Sequence, residues 1–140
     1  MTEKNTAEKV VVKWLDSDPQ AWGFKEHGDR YGKKGVPDFI VSYHGQFVGI
    51  ETKAGNGYHL KGIQLYEGLN ILNTGGQYVV AYPDFTGLND VTPFDVRAYG
   101  IDLQAISAST KPRDLDVDQL TVLANMAEHI SKMGKSIILV

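Results

Sequence analysis

The sequence lacks cysteine, long apolar runs and any excess of positive charge. Without cysteine, disulfide bonds and thiolate metal sites are excluded. No apolar run approaches the ~20 residues of a transmembrane helix, and the first stretch, MTEKNTAEKVVVKW, does not resemble a signal peptide. These absences predict a cytoplasmic protein, and the net charge of −3 argues against a uniformly basic surface.

What is present fits one compact domain: 140 residues, of which 42% are hydrophobic, are enough to bury a core. Hydrophobic periodicity and turn residues predict the secondary structure. The expected helices cover 3–16, 60–73, a short stretch from Thr92-Pro93 to Tyr99, and the segment between a capping Asp116 and Gly134. The expected strands cover 21–26, 38–43, 47–53, 77–83 and 136–140.

The stretch GVPDFIVSYHGQFVGIETK, residues 35–53, predicts a β-hairpin. Its central His-Gly is typical of a two-residue turn. Such a turn places Asp38 directly opposite Glu51 on the neighbouring strand. A four-residue loop on the same centre preserves this pairing, whereas a three-residue loop separates the two acids.

Two opposed carboxylates require a compensating charge. Directly opposed Cβ atoms lie about 5 Å apart, and like charges at that distance are destabilising. A shared proton is one solution. A divalent cation is the better supported one, because oxygen ligands at this spacing suit Mg²⁺ or Mn²⁺. The pattern therefore predicts a metal site at Asp38 and Glu51.

Lys53 belongs to the same face as Glu51, since side chains alternate along a strand. Its ammonium group is predicted to hold a scissile phosphate or an attacking water. Taken alone, Glu-x-Lys is more typical of a surface ion pair, with Asp38 as an ordinary turn residue. A Pro-Asp pair on the register-matched strand favours the site, and Pro37, which lacks an N–H group, suits the start of a strand.

Two further polar residues fall on apolar helix faces. Glu8 lies within the apolar arc of the first helix, and Gln64 shares a stripe with Leu60 and Ile71 on the second. A buried acid needs a partner, so both are predicted site residues. The alternatives are that Glu8 reaches solvent at a rim and that Gln64 caps a backbone group. Glu67 is a weaker site candidate.

Basic side chains, rather than aromatic ones, are the predicted contacts for phosphate groups. Phosphate contacts position a nucleic-acid backbone without reading its sequence, although a charge cluster can also be a solvated loop. The candidate phosphate contacts are Lys25, Arg30, Lys33, Lys34 and Lys61. Trp14, Trp22 and most tyrosines are expected in the core instead of serving as base-stacking platforms.

These motifs resemble those of the PD-(D/E)XK nuclease superfamily. GVPD followed by IETK resembles its bipartite motif, and the early glutamate with the downstream HLKGIQ is most similar to the VRR-NUC group. The resemblance covers roughly residues 5–83. It implies an α/β (α+β) fold with a restriction-endonuclease-like core, in which helices flank a central mixed sheet in the order αβββαβ. The chain is then one nuclease domain with a core of about 3–83 and a C-terminal helical extension, 84–140.

The resemblance also implies a role for each site residue. Asp38 and Glu51 become metal ligands together with the carbonyl oxygen of Thr52, Lys53 becomes the catalytic lysine, and Glu8 and Gln64 become supporting catalytic residues. The implied reaction is Mg²⁺- or Mn²⁺-dependent hydrolysis of DNA phosphodiester bonds.

Small stand-alone members of the group are typically homodimers that act on branched DNA, and many come from phages. We therefore expect a homodimeric, structure-specific endonuclease for branched or four-way DNA, in the cytoplasm of a bacterial or phage-infected cell. One alternative is a sequence-specific restriction-type endonuclease. Another is a non-catalytic DNA-binding module that keeps the nuclease fold, against which the complete set of Asp38, Glu51 and Lys53 argues.

Overall fold

The computed structural model describes residues 3–26, 33–55 and 59–140. Arg30, one of the predicted DNA contacts, lies outside the described residues. The helices are α1 (Glu3–Ser17), α2 (Gly62–Asn73), α3 (Leu103–Ala108) and α4 (Val117–Met133). The strands are β1 (Ala21–Lys25), β2 (Phe39–Tyr43), β3 (Gln46–Thr52), β4 (Gln77–Ala81), β5 (Thr92–Phe94) and β6 (Ile137–Leu139). No helix within these described ranges is long and apolar enough to cross a membrane.

All the described strands belong to one mixed sheet, in the order β1-β2-β3-β4-β6-β5. The pairs β3–β4 and β5–β6 are parallel, and the other neighbours are antiparallel. The prediction of a mixed sheet flanked by helices is confirmed, and the first six regular elements follow the order α, β, β, β, α, β. The specific restriction-endonuclease-like core stays a prediction. The segment after residue 83 adds strands as well as helices, because β5 and β6 extend the same sheet.

The β2–β3 hairpin has the predicted register. His44 and Gly45 both adopt positive φ angles, of 51° and 78°, as a two-residue type I′ turn requires. Tyr43 pairs with Gln46, and Phe39 pairs with Ile50 at the far end of the ladder. One further step along this register brings residue 38 opposite residue 51.

Helices cover the two faces of the sheet unequally. On one face, Val11 and Trp14 of α1 share a core cluster with residues of β2, β3 and β4. On the other face, α2 and α4 pack against β4 and β6. Gly68 brings α2 close to the sheet, because a Cβ atom at this position would lie 2.5 Å from the Tyr78 ring. Trp22 is 69% exposed, on the part of that face that α2 does not reach.

The prediction of a buried tryptophan is confirmed for Trp14, which is 6% exposed, and is wrong for Trp22. The two residues differ in what covers them. Trp14 packs edge-on against Phe85 under α1. Trp22 lies on an edge strand, and its neighbours Phe24 and Phe47 are themselves 46% and 43% exposed.

The C-terminal half follows the prediction at its last helix and last strand, but differs at Thr92-Pro93 and at α3, which was not predicted. Asp116 caps α4 by accepting a hydrogen bond from the Gln119 amide, and Gly134 ends it in the left-handed conformation. The helix predicted from Thr92 is wrong: residues 92–94 form β5, and only a short 3₁₀ turn follows. Pro93 fits there because β5 is an edge strand, where a residue without an N–H group breaks no ladder.

Replacing Gly68 with alanine should destabilise the fold, although alanine normally favours a helix interior by about 1 kcal/mol over glycine. The added methyl group collides with the Tyr78 ring, and overpacking typically costs about 1–3 kcal/mol. Urea unfolding measures the free energy of unfolding. Gly62→Ala is the matched control, because its Cβ atom would approach only the Leu123 side chain, at 4.0 Å. Equal unfolding midpoints for the two variants would contradict the proposed close approach.

Candidate active site

The candidate site lies at the edge of the sheet where β2 begins and β3 ends. Asp38 immediately precedes β2 and Glu51 is the second-last residue of β3, so extending the Phe39–Ile50 register by one residue places them opposite each other. Because β3 and β4 are parallel, their carboxyl ends meet at this same edge. The structure thus brings together the two acids that the sequence pattern predicted as neighbours.

Hydrogen bonds from Thr52 orient the Asp38 carboxylate. Its Oδ2 atom accepts from the Thr52 amide at 2.9 Å and from the Thr52 hydroxyl at 2.7 Å. Thr52 itself is fully buried. Hydrogen bonds to an ionised acceptor are stronger than those between neutral groups. These two hydrogen bonds fix the orientation of the Asp38 carboxylate relative to β3.

Glu51 is a buried carboxylate, 1% exposed, within contact distance of two other predicted site residues. Its Oε2 atom accepts a hydrogen bond of 2.8 Å from Gln64 Nε2. Lys53 Nζ lies 3.6 Å from the same oxygen, and Lys53 is 7% exposed. Burying a charge costs several kcal/mol unless a partner compensates it. Lys53 supplies that compensation for Glu51 as part of the site.

Gln64 connects the start of α2 to this carboxylate. Its Oε1 atom accepts from the Lys61 backbone amide at 2.9 Å, while its Nε2 group donates to Glu51. The two roles considered for Gln64 therefore occur together, since it caps a backbone group and contacts the site. The position of α2 and the orientation of Glu51 depend on each other through one amide side chain.

Glu8 meets a different predicted residue. Its Oε2 atom lies 2.9 Å from Lys25 Nζ, and its side chain is 17% exposed. Lys25 ends β1 opposite Phe39, the first residue of β2, so its side chain lies on the face that α1 covers. Asp38, the residue next to Phe39, belongs to the other face. Lys25 was predicted as a phosphate contact, and its charge is shared with Glu8.

The remaining basic candidates lie on the surface around the site. Lys33 has a 70% exposed side chain and lies 3.6 Å from the Glu67 carboxylate, whose side chain is 11% exposed. Lys34 and Lys61 are exposed. Lys33 and Glu67 also line a groove of about 320 Å³ with Pro37. Glu67, the weaker candidate for a site residue, thus forms an ion pair with Lys33.

Three contributions to this edge were not predicted from the sequence. The resemblance implies a role only for the carbonyl oxygen of Thr52, and nothing in the sequence indicates that its hydroxyl and amide groups donate to Asp38. The Glu26 amide donates to the Asp38 carbonyl at 2.6 Å, which extends the β1–β2 pairing and places a third acid in the same row. Pairing β1 against the hairpin in the sequence would have revealed Glu26.

Tyr78 is the third. It is fully buried on β4, opposite Gly49 of β3. Burial raises the pKa of its phenol well above the usual value, and the negative charges of Glu51 and Asp38 raise the pKa further. The phenol therefore stays neutral beside the two carboxylates. The sequence does not predict that Tyr78 lies near Asp38 and Glu51, because it is distant from both along the chain.

The donor chemistry of this edge fits a hard divalent cation. Mg²⁺ binds to proteins through one or two carboxylates and retains several waters, and Asp38 with Glu51 supplies two carboxylates at one edge. Across residues 3–26, 33–55 and 59–140, no group of three or more His, Cys, Asp or Glu side chains is arranged to hold a metal ion. Within the described residues, the acids that could contact a cation at this end of the sheet are Asp38 and Glu51.

Comparison of the chain with protein-family models, with curated protein sequences and with solved structures finds no match in any of the three. No relative therefore supplies an activity, a substrate or a cofactor. The function has to be inferred from the geometry of the site, whose elements are two opposed acids, a buried lysine and a glutamine that bridges helix and sheet.

Proposed function

We propose that this chain is a metal-dependent DNA endonuclease whose active site comprises Asp38, Glu51 and Lys53. The observation that carries the proposal is the buried Glu51 carboxylate, bonded to Gln64 and adjacent to Lys53, in register with Asp38. Phosphodiester hydrolysis needs oxygen ligands that hold a cation and a donor that contacts the phosphate. The carboxylates supply the first and the lysine supplies the second.

A purely structural role explains this arrangement less well. A buried ion pair contributes little net stability, and apolar residues of similar volume often replace it without loss. Glu51 and Lys53 are 1% and 7% exposed, yet they lie at an edge with Lys33, Lys34 and Lys61 on the surrounding surface. Costly polar groups of this kind cluster at functional sites.

Each residue has a defined task in the proposed reaction. A cation held by Asp38, Glu51 and the Thr52 carbonyl would activate water and neutralise phosphate charge. Thr52 orients Asp38, and Gln64 orients Glu51. Lys53 donates hydrogen bonds to the phosphate as negative charge develops. Because Lys53 is almost fully buried, its charge acts in a medium less polar than water and is correspondingly more effective.

The proposed substrate is DNA, and branched DNA in particular. Lys33, Lys34 and Lys61 are exposed near the site and would contact the phosphate backbone. The homodimer and the cytoplasmic location stay predictions from the sequence.

The direct test is cleavage of four-way junctions, flaps and linear duplexes with Mg²⁺, with Mn²⁺ and with EDTA. Metal-dependent cutting of branched DNA supports the proposal. Cutting of linear duplex at a fixed sequence would indicate a restriction-type enzyme. DNA binding without cleavage under every condition would indicate a non-catalytic module.

Asp38→Asn and Glu51→Gln should each abolish cleavage and weaken Mn²⁺ binding, because each removes a negative charge from the proposed cation site. Cleavage assays and Mn²⁺ titration calorimetry measure the two effects, and circular dichroism confirms folding. Glu128→Gln is the matched control, since this exposed acid pairs with Lys132 on α4. Wild-type cleavage by either site variant would show that the site is misassigned.

Lys53→Met should retain Mn²⁺ binding but lose about 10²–10³-fold in cleavage rate, the typical loss when one donor to a developing negative charge is removed. Methionine keeps a flexible apolar chain in the buried position, and Glu51 retains its hydrogen bond from Gln64. Because Glu51 loses Lys53 as a charged partner, the unfolding midpoint should fall, and circular dichroism at the assay temperature establishes that the variant is folded. Single-turnover rates and calorimetry are the measurements. Loss of Mn²⁺ binding in a folded variant would instead assign Lys53 to the organisation of the cation site.

Changing Lys33 and Lys34 together to alanine should flatten the salt dependence of duplex binding by roughly one to two units, since each neutralised phosphate contributes about −0.9 to the slope. The single-turnover rate at saturating DNA should stay near wild type. Arg97→Ala is the control: Arg97 is exposed, and its neighbour Val96 bonds to Val140, at the opposite edge of the sheet. A collapsed rate with unchanged binding would place the lysines in the catalytic centre.

A further inference from the structure

The aromatic sheet face consists of Trp22, Phe24 and Phe47, with Ile40 between them. Trp22 and Phe24 lie beyond the reach of α2, and Ile40 and Phe47 line a groove with that helix. These residues form two rows across β1, β2 and β3. Trp22 and Phe47 both pair with Ser42 in the outer row, and Phe24 pairs with Ile40 in the inner row. Trp22, Phe24 and Phe47 are 69%, 46% and 43% exposed. Large exposed apolar groups gathered on one face mark an interaction surface.

This face adjoins the candidate active site along β1 and β2, whereas on β3 Pro37 packs on Gly49 of the same row. Directly paired residues lie on the same side of a sheet, and residues two positions apart along a strand share that side. The row of Phe24 and Ile40 is therefore followed by the row that contains Asp38 and Glu51. The two rows are about 7 Å apart, since a strand rises ~3.3 Å per residue.

We propose that the aromatic sheet face binds unpaired bases of a single-stranded segment in the DNA substrate, a proposal that rests on the nuclease function proposed above. A base stacked over Phe24 lies about 7 Å from the acidic row. Because stacked nucleotides advance 3.4 Å each along a strand, the phosphate at the site belongs to a nucleotide about two steps away. The substrate class is then DNA with a flap, gap or other unpaired segment.

The chemistry of the face suits bases. Trp22 and Phe24 lie edge to face, with centroids 5.8 Å apart and an angle of 72° between the rings, and both rings remain partly open to solvent. Every base can stack on such a ring, so binding of this kind tolerates sequence. Lys33, with its 70% exposed side chain, lines one groove with Phe47 and supplies positive charge for the accompanying backbone.

A second copy of this chain fits the face less well, because the face is small. Strands lie ~4.8 Å apart, so the two rows span only about 10 Å by 7 Å between Cα positions. Each partner in a stable protein complex contributes about 20–30 residues, several times the number on this face. The exposed Ser42 at the centre of the outer row further interrupts an apolar contact.

Tryptophan fluorescence tests the proposal without requiring cleavage. The chain has two tryptophans: Trp14 is buried and Trp22 is exposed. Titration with a short oligothymidylate in EDTA should quench the emission of Trp22 as a base stacks on it. Trp22→Phe should keep most of the affinity but lose the quenching, since phenylalanine preserves a stacking surface.

Alanine variants measure the strength of stacking. Trp22→Ala and Phe24→Ala should each weaken binding of a labelled oligothymidylate by about 5- to 100-fold in anisotropy titrations, the range expected for one base on one aromatic ring. Val117→Ala is the matched control, because Val117 is a 77% exposed apolar residue at the start of α4. Linear duplex should bind these variants as it binds wild type.

The outcomes separate this proposal from the nuclease function. Quenching and weakened binding without any metal-dependent cleavage would retain the base-binding face and overturn the nuclease. Metal-dependent cleavage with no quenching and unchanged affinity in Trp22→Ala would retain the nuclease and overturn the base-binding face. A wild-type dimer that Trp22→Ala converts to a monomer in light scattering would also overturn it, by assigning the face to a contact between copies.

Discussion

The buried charge of Glu51 is the constraint on which this arrangement depends. A carboxylate that is 1% exposed at the end of a sheet strand is tolerable only with close partners of opposite charge or with good donors. Gln64 and Lys53 provide both. Since Gln64 also binds the Lys61 amide, the start of α2 is fixed relative to β3. The need of the buried Glu51 carboxylate for a hydrogen-bond donor thus helps to fix the position of α2.

That position determines which part of the sheet is left open. Gly68 lets α2 lie directly on Tyr78 of β4, so the helix covers the centre of the sheet and stops short of β1. The aromatic residues of β1 and β3 then face solvent beside the acidic row. The candidate site and the open face adjoin because Gln64 fixes the start of α2 at Glu51, while the rest of the helix lies over β4.

Features that depend on neighbouring residues could be predicted from the sequence. The turn at His44-Gly45 fixes the hairpin register through local backbone preference, and that register alone places Asp38 opposite Glu51. Features that depend on distant partners could not. The exposure of Trp22 follows from where α2 lies, and β5 exists only because β6 pairs with it. The ion pair of Lys25 with Glu8 joins two elements whose spacing no periodicity reveals.

The place of β6 between β4 and β5 has a consequence for the order in which the chain folds. Residues 92–94 are synthesised well before residues 137–139, yet β5 pairs in the sheet only with β6. During translation, β4 therefore keeps an unpaired edge until β6 emerges, and open strand edges are prone to wrong pairing. Pairing across such a sequence separation is also slow, because a long loop must close first. Completion of the sheet is thus a late event, and the half of the chain that carries Asp38 and Glu51 must persist until then with the outer edge of β4 unpaired.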